Sequence, residues 1–265
     1  MTRTLLAALV LLSAAVSLPA QSPVVNAVVE RRTPSADFAR DVQSIAGRPT
    51  AAWIGYRVPI QRRREVSIQT GDSCCGRCRL APPTDLVVLA RVQGGAVAEL
   101  RSLAVDCDMD AGSMPLVWFD GVNADASVAW LSTLVTAQTD GTRRISENAL
   151  VAITQHAGPS ASAALVRFAQ TGTTQMRGRA LSWLAQRAAN EALPAIDAAL
   201  KDPELEVKKQ AVNALARFPN QEGIPKLIEI ARSYPNPEVR RQAILRLGDT
   251  KDPRAVDFFA QILLK

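Results

Sequence analysis

One pattern of four apolar residues occurs four times along the second half of the chain. Its copies are Ile145, Ala149, Leu150 and Ile153; Met176, Ala180, Leu181 and Leu184; Val207, Ala211, Val212 and Leu215; and Val239, Ala243, Ile244 and Leu247. Successive copies start 31, 31 and 32 residues apart. Offsets of four, five and eight put all four members on one face of a helix, and the recurring Ala lets a second helix come close. This is helix A of each unit. Eighteen positions after each first member stand Ala163, Pro194, Pro225 and Asp257. They open a second apolar-periodic stretch, helix B, carrying Leu165 and Phe168, Ile196 and Leu200, Leu227 and Ile230, and Phe259 and Ile262. Proline has no amide to lose in a first turn and aspartate complements the helix dipole, so Pro194, Pro225 and Asp257 read as helix starts. Asp202-Pro203-Glu204 and Asn236-Pro237-Glu238 likewise open the helices carrying Val207 and Val239. A period of this length restricts the chain to stacked hairpins, each hiding its apolar face only against its neighbours.

These residues resemble HEAT repeats of the short type first noticed in phycobilisome lyases. The matching strings are Pro237-Glu238-Val239-Arg240-Arg241-Gln242-Ala243-Ile244-Leu245-Arg246-Leu247-Gly248 and Asp252-Pro253-Arg254-Ala255-Val256. The first unit, with Gly158 and Pro159 in a shortened connection, is degenerate, and the resemblance covers about residues 142–265. It implies a right-handed superhelix whose concave face, lined by the B helices, holds another macromolecule. Bilin-lyase activity belongs to only some members, and nothing in this sequence argues for it. On this view Arg167, Lys226 and Arg232 of helix B face the concave side and are the candidate partner-binding residues. For Arg177, Lys208 and Arg240 of helix A, the resemblance implies an inter-repeat ladder; a binding stripe is the alternative.

At the other end, Met1 and Arg3 precede an apolar stretch from Leu5 to Val16, followed by Ser17, Leu18, Pro19 and Ala20. Charge, length and small-residue ending are those of a secretory signal over residues 1–20, and the run is short for a membrane span. The chain is therefore expected in the periplasm or outside the cell, with no stable membrane insertion after cleavage. Export places its cysteines in an oxidising compartment.

Residues 23–140 read as a small α+β domain. Thr33-Pro34-Ser35 opens a helix on which Phe38, Val42 and Ile45 fall at helical spacing, until Gly47 and Pro49 stop it. The stretch from Ala52 to Ile60 is aromatic and β-branched. Leu86 to Val92 and Ala96 to Val105 flank Gly94-Gly95 as a hairpin, and Pro115 to Phe119 is a further short strand. The expectation is a small antiparallel sheet. Asn123 or Asp125 then caps a helix bearing Val128, Leu131, Leu134 and Val135. The fold class is thus an N-terminal α+β domain followed, over residues 141–265, by an all-α HEAT-like solenoid of about four hairpins.

Cys74, Cys75 and Cys78 crowd one loop, with Cys107 on a later strand. Four cysteines allow three pairings, and the one that joins the adjacent Cys74 and Cys75 is strained, so Cys107 is expected to pair with Cys74 or Cys75. A thiolate metal site and a Cys75–Cys78 redox pair are the competing readings. Asp106, Asp108 and Asp110 alternate along a strand edge; as a calcium loop they lack the bidentate glutamate, since Val117 stands at that position. His156, the one histidine, sits at a helix end as a solvent-exposed loop residue. Nucleophile elbow, phosphate loop and dinucleotide fingerprint are all absent, so no catalytic residue and no cofactor is assigned.

Of the net charge of +6, the surplus lies in residues 141–265, which hold 18 basic against 12 acidic residues. A basic array outside the cytoplasm suits a protein or anionic polymer as partner, and nucleic acid is disfavoured by location rather than by charge and is not expected. The sequence thus favours an exported interaction scaffold. The second reading is a cysteine-dependent redox or metal-binding module for which the repeats serve as a docking platform.

Overall fold

A computed structural model describes residues 24–60, 85–104, 109–137, 139–187 and 189–264. The signal segment, Cys74, Cys75, Cys78, Cys107, Asp106 and Asp108 lie outside these residues.

The first part is built on a five-stranded sheet. Its strands are β2 (Val28–Arg32), β3 (Ala52–Pro59), β4 (Asp85–Gln93), β5 (Ala96–Ala104) and β7 (Pro115–Phe119), in the order β2-β7-β3-β4-β5. Two short strands, β1 (Val24–Val25) and β6 (Met109–Asp110), pair separately. The β4–β5 hairpin turns through Gly94 and Gly95 at φ of 60° and 81°, the left-handed conformations that a two-residue hairpin turn asks for. The sheet is mixed, however, and not antiparallel as expected: β7 lies between β2 and β3 and runs parallel to both. The cause is helix α1 (Phe38–Ala46), which carries the chain back so that β3 runs the same way as β2 and leaves a gap of one strand between them. Helix α1 starts at Asp37, whose carboxylate accepts the Arg40 amide at 3.1 Å, and not at Thr33-Pro34-Ser35. Asn123 caps α2 (Ala124–Thr136) through the Ala126 amide at 2.7 Å.

Side chains alternate across the sheet as strand geometry demands. Ile54, Tyr56, Val58, Val117 and Phe119 face α1 and α2, where Phe38, Tyr56, Phe119 and Trp130 meet edge to face. Trp53, Val87, Leu89, Leu116 and Trp118 form a second core on the opposite side. Gly55 stands on that side because a Cβ there would lie 2.7 Å from the Trp118 ring.

Eight helices follow in four hairpins. The A helices are α3 (Arg143–Gln155), α5 (Thr174–Arg187), α7 (Leu205–Leu215) and α9 (Pro237–Gly248). The B helices are α4 (Pro159–Thr171), α6 (Ala189–Leu200), α8 (Ile224–Ser233) and α10 (Pro253–Leu263). All but two of the sixteen pattern residues are buried: Ile145 is half-buried and Ile244 is exposed. Ala149, Ala180, Ala211 and Ala243 are each 0% exposed, so the small residue does sit where helices meet. The apolar core runs without a break from Phe38 on α1 to Phe258 on α10, binding sheet and array together.

Three expected helix starts move. Helix α4 opens at Pro159 behind Gly158, whose φ of 92° makes the turn, and not at Ala163. Pro194 lies inside α6, where its missing amide removes the bond to the Asn190 carbonyl. Helix α10 is capped by Asp252, which accepts the Arg254 amide, so Asp257 is one turn in. Pro225 and Asn236 hold the places read from the sequence, the latter with its side chain accepting from the amides of Glu238 and Val239.

Candidate interaction surface

The A helices leave a second face uncovered. Residues three, six and ten positions after the first pattern residue lie on the side of the helix away from the buried stripe. These are Arg179, Ser182 and Gln186 on α5, then Gln210, Asn213 and Arg217 on and just after α7. Two adjoining hollows of about 700 and 660 Å³ run across this face, sharing Ser182, Gln210 and Arg217 as common wall. Together they form a channel from the start of α5 to the turn after α9, where Asp249, Thr250 and Lys251 stand. The helices can approach this closely because Gly178 has no side chain: a Cβ there would be 2.7 Å from Gln210 Cγ.

The floor of the channel is a polar rail. Arg246 Nε donates to Asn213 Oδ1 at 2.9 Å, Asn213 Nδ2 reaches Gln210 Oε1 at 3.4 Å, and Gln210 Nε2 donates to Glu206 Oε1 at 2.8 Å. Among the charged residues that line the channel, Arg246 is paired with Asp249 at 2.8 Å and Arg179 with Glu147 at 2.8 Å, while Glu206 meets Lys209 at 3.4 Å. Arg217 and Lys251 are exposed and make no ion pair among the described residues. Trp183, half-buried on the core, shows one edge at the channel wall.

The B-helix residues taken from the sequence lie outside these hollows. The hollows are lined mainly by the A helices and the turns after them, with Ile224 from the start of α8. Lys226 Nζ is 3.6 Å from Asp197 on α6 and 3.2 Å from Glu229, which ties two neighbouring repeats. Arg232 donates to Gln261 at 2.7 Å and covers the Phe258 ring, again across a repeat boundary. Arg167 is exposed, with its guanidinium over Phe168 at 5.5 Å. Of the ladder residues, Arg177 binds Asp202 at 2.6 Å in the turn before α7, and Arg240 donates to the Tyr234 and Pro235 carbonyls.

Where sheet and array meet, three fully buried polar side chains form one line. Tyr56 Oη lies 2.7 Å from Ser127 Oγ, and Ser127 Oγ lies 2.7 Å from His156 Nε2. His156 Nδ1 is 2.8 Å from the Ala152 carbonyl, which can only accept, so Nδ1 carries the proton and Nε2 accepts from Ser127. Tyr56 then donates to Ser127. Burial holds the imidazole neutral by pushing its pKa down to about 4, and the Arg187 charge nearby acts in the same direction. His156 is thus a core residue and not the exposed loop residue expected. Its backbone bridges to Ile60, and Ala157 donates to the Pro59 carbonyl at 3.0 Å. Arg187 locks the same turn by donating to Ser162 Oγ and to the Thr154 and Gly158 carbonyls. Sealed from solvent, this Ser–His pair has no access for a substrate.

Among the described residues no cluster of three His, Cys, Asp or Glu side chains could hold a metal ion, and Asp110 is occupied by the Gly112 amide and the Asn26 side chain. No helix of the described residues is long and apolar enough to cross a membrane. The sequence signal that marks the channel is a polar set at matching offsets on α5 and α7, opposite the apolar one, which a search for apolar periodicity passes over. No curated protein matches the chain. Residues 165–233 and 192–265 match the family model of HEAT repeats, with no lyase-type subgroup singled out. The α4 residues ahead of Leu165 and all of α3 precede that match but repeat the same buried pattern. Residues 165–265 thus carry HEAT repeats.

Proposed function

We propose that this chain is an exported scaffold that holds a protein partner along the channel over α5, α7 and α9. The carrying observation is that two hollows on three successive repeats share Ser182, Gln210 and Arg217 and so make one continuous surface. HEAT repeats in general serve protein interaction, and the shared core gives the array a rigid seat on the sheet. Export is supported by the apolar run behind Arg3, with the periplasm or the exterior as destination. A photo-crosslinking residue at Gln210, compared with one at Arg167, tests the docking face in cells that make the protein. An adduct of defined mass from Gln210 alone supports the channel. An adduct from Arg167 alone moves docking to the B helices, and none from either removes the scaffold.

The cysteine-dependent alternative is separated by the intact mass of the exported protein purified without reductant. A chain cut near residue 20 and about four daltons light carries two disulfides and keeps the scaffold reading. Full thiol mass, or a metal lost only on denaturation, makes Cys74, Cys75, Cys78 and Cys107 the site.

A further inference from the structure

The channel's charge and hydrogen-bonding groups select among partners. Resting on the reading that the channel is the docking face, we infer that its occupant is an extended acidic polypeptide segment. The carboxylates of this segment meet Arg217 and Lys251, and its backbone lies along the Asn213–Gln210 rail.

Three observations carry this. The first is shape. Neighbouring helices pack about 8–10 Å apart, so a channel over three A helices is about 20 Å long, the reach of about six residues of extended chain. A compact ligand would fill one hollow and leave the other to water.

The second is charge. Arg246, Arg179 and Glu206 already have partners of opposite sign, at Asp249, Glu147 and Lys209. What remains is two exposed cations, Arg217 and Lys251, which make no ion pair among the described residues. An acidic strand completes the balance of the channel, and a basic one meets repulsion.

The third is the rail. Each amide offers two donor hydrogens and two acceptor lone pairs. Asn213 and Gln210 spend most of that capacity on Arg246, on Gln242 at 2.6 Å, on one another and on Glu206. What is left is one amide hydrogen on each and a lone pair on Gln210 Oε1, fixed in place by the bonds already made. That pairing matches a peptide backbone, which presents an N–H and a C=O in every unit. A polyphosphate presents acceptors only and leaves the spare Gln210 lone pair unmatched. Trp183 at the wall adds an apolar contact of the kind that anchors peptides.

The test is fluorescence anisotropy with the full exported chain and a labelled peptide of alternating Glu and Ser, about twelve residues long. A Lys-Ser peptide and polyphosphate serve as competitors. The expected result is saturable binding of the acidic peptide that weakens with salt, is untouched by the Lys-Ser peptide, and falls about tenfold in Arg217→Glu/Lys251→Glu. Both changes are on the surface, and an unshifted melting curve checks the fold. Arg40→Glu, an exposed charge reversal on α1, leaves binding as it was. Equal binding of the basic peptide, full binding by the double variant, or displacement by polyphosphate at equal charge concentration overturns the inference. If the acidic peptide fails to bind while the Gln210 photo-adduct persists, the acidic assignment falls and the docking face stands; loss of both removes both.

Discussion

Ser127 Oγ stands 2.7 Å from His156 Nε2, joining α2 to the end of the first A helix inside the core. The hydroxyl also receives the Tyr56 O–H, so a single oxygen serves two buried polar groups from different elements. Ser127→Ala leaves both without a partner. A buried group stripped of its hydrogen bond costs about 1–3 kcal/mol, so the loss is about 2–5 kcal/mol. Tyr56→Phe removes one donor and leaves the Ser127–His156 bond intact, at about 1 kcal/mol. Urea unfolding of the two variants checks the order; equal losses would mean that Ser127 does not bridge.

The same histidine sets a pH dependence. Its folded pKa, near 4, lies below the unfolded value of 6.5, so the unfolded chain takes up the proton first. Stability contributed by the neutral imidazole is full above pH 6.5 and is lost as pH falls toward 4. Between pH 8 and pH 5 the loss is about 2 kcal/mol. Glu30, Asp110, Asp120 and Asp252 have lowered pKa values, through their arginine partners or, for Asp110, the Gly112 amide and Asn26. Their stabilisation fades only below about pH 4.5, so the upper window reports the histidine by itself. Unfolding free energies from pH 8 to pH 5 should slope for the parent chain and be flat for His156→Asn.

Two glycines make contrasting demands. At Gly55 a Cβ would stand 2.7 Å from the Trp118 ring and 2.9 Å from Leu89 Cδ2, both within the second core. Neither neighbour has room to withdraw, so Gly55→Ala costs about 1–3 kcal/mol in overpacking. At Gly178 the obstructing atoms are the near end of the Gln210 side chain, Cγ at 2.7 Å and Cβ at 3.0 Å, so a methyl group there pushes on α7 itself. Gly178→Ala costs about 1–3 kcal/mol in overpacking, offset by about 1 kcal/mol because alanine suits a helix better than glycine, and it displaces the rail. Acidic-peptide affinity is the readout that moves.

The array was legible because its signal is periodic. Val207, Ala211, Val212 and Leu215 recur with the spacing of a packed stripe, and physics leaves one use for it. Four of the five strands of the sheet were legible, and Gly94-Gly95 can hardly be other than a hairpin turn; β2 was not. The order of the sheet was not legible either, because β2 is short and exposed, with Val28 75% and Val29 42% accessible, and so has no alternation to betray a partner. His156 was misplaced for a related reason: a lone polar residue beside Gly158 looks like a loop, and only the fold brings Ser127 and Tyr56 to it from 29 and 100 positions earlier in sequence. The charged B-helix residues looked free because charges in a sequence carry no record of their partners; Asp197 and Gln261 supply those of Lys226 and Arg232.

The third member of the pattern gives a graded test of the stacking itself. Leu150, Leu181 and Val212 are at most 1% exposed on helices that another A helix follows, whereas Ile244 is 39% exposed on α9, after which no further A helix comes among the described residues. Leu181→Ala opens a cavity between α5 and its neighbours, at about 2–5 kcal/mol. Ile244→Ala removes a similar number of carbon atoms from a site that water already reaches, and costs about 1 kcal/mol or less. Because each hairpin is stabilised chiefly by its neighbours, the damage at Leu181 should spread to α7 while that at Ile244 stays in α9 and α10. Hydrogen exchange resolved by helix distinguishes the two. Faster exchange in α7 for Leu181→Ala and an unchanged α7 for Ile244→Ala is the expected pattern, and a uniform response along all eight helices would show that the array unfolds as a single cooperative unit instead.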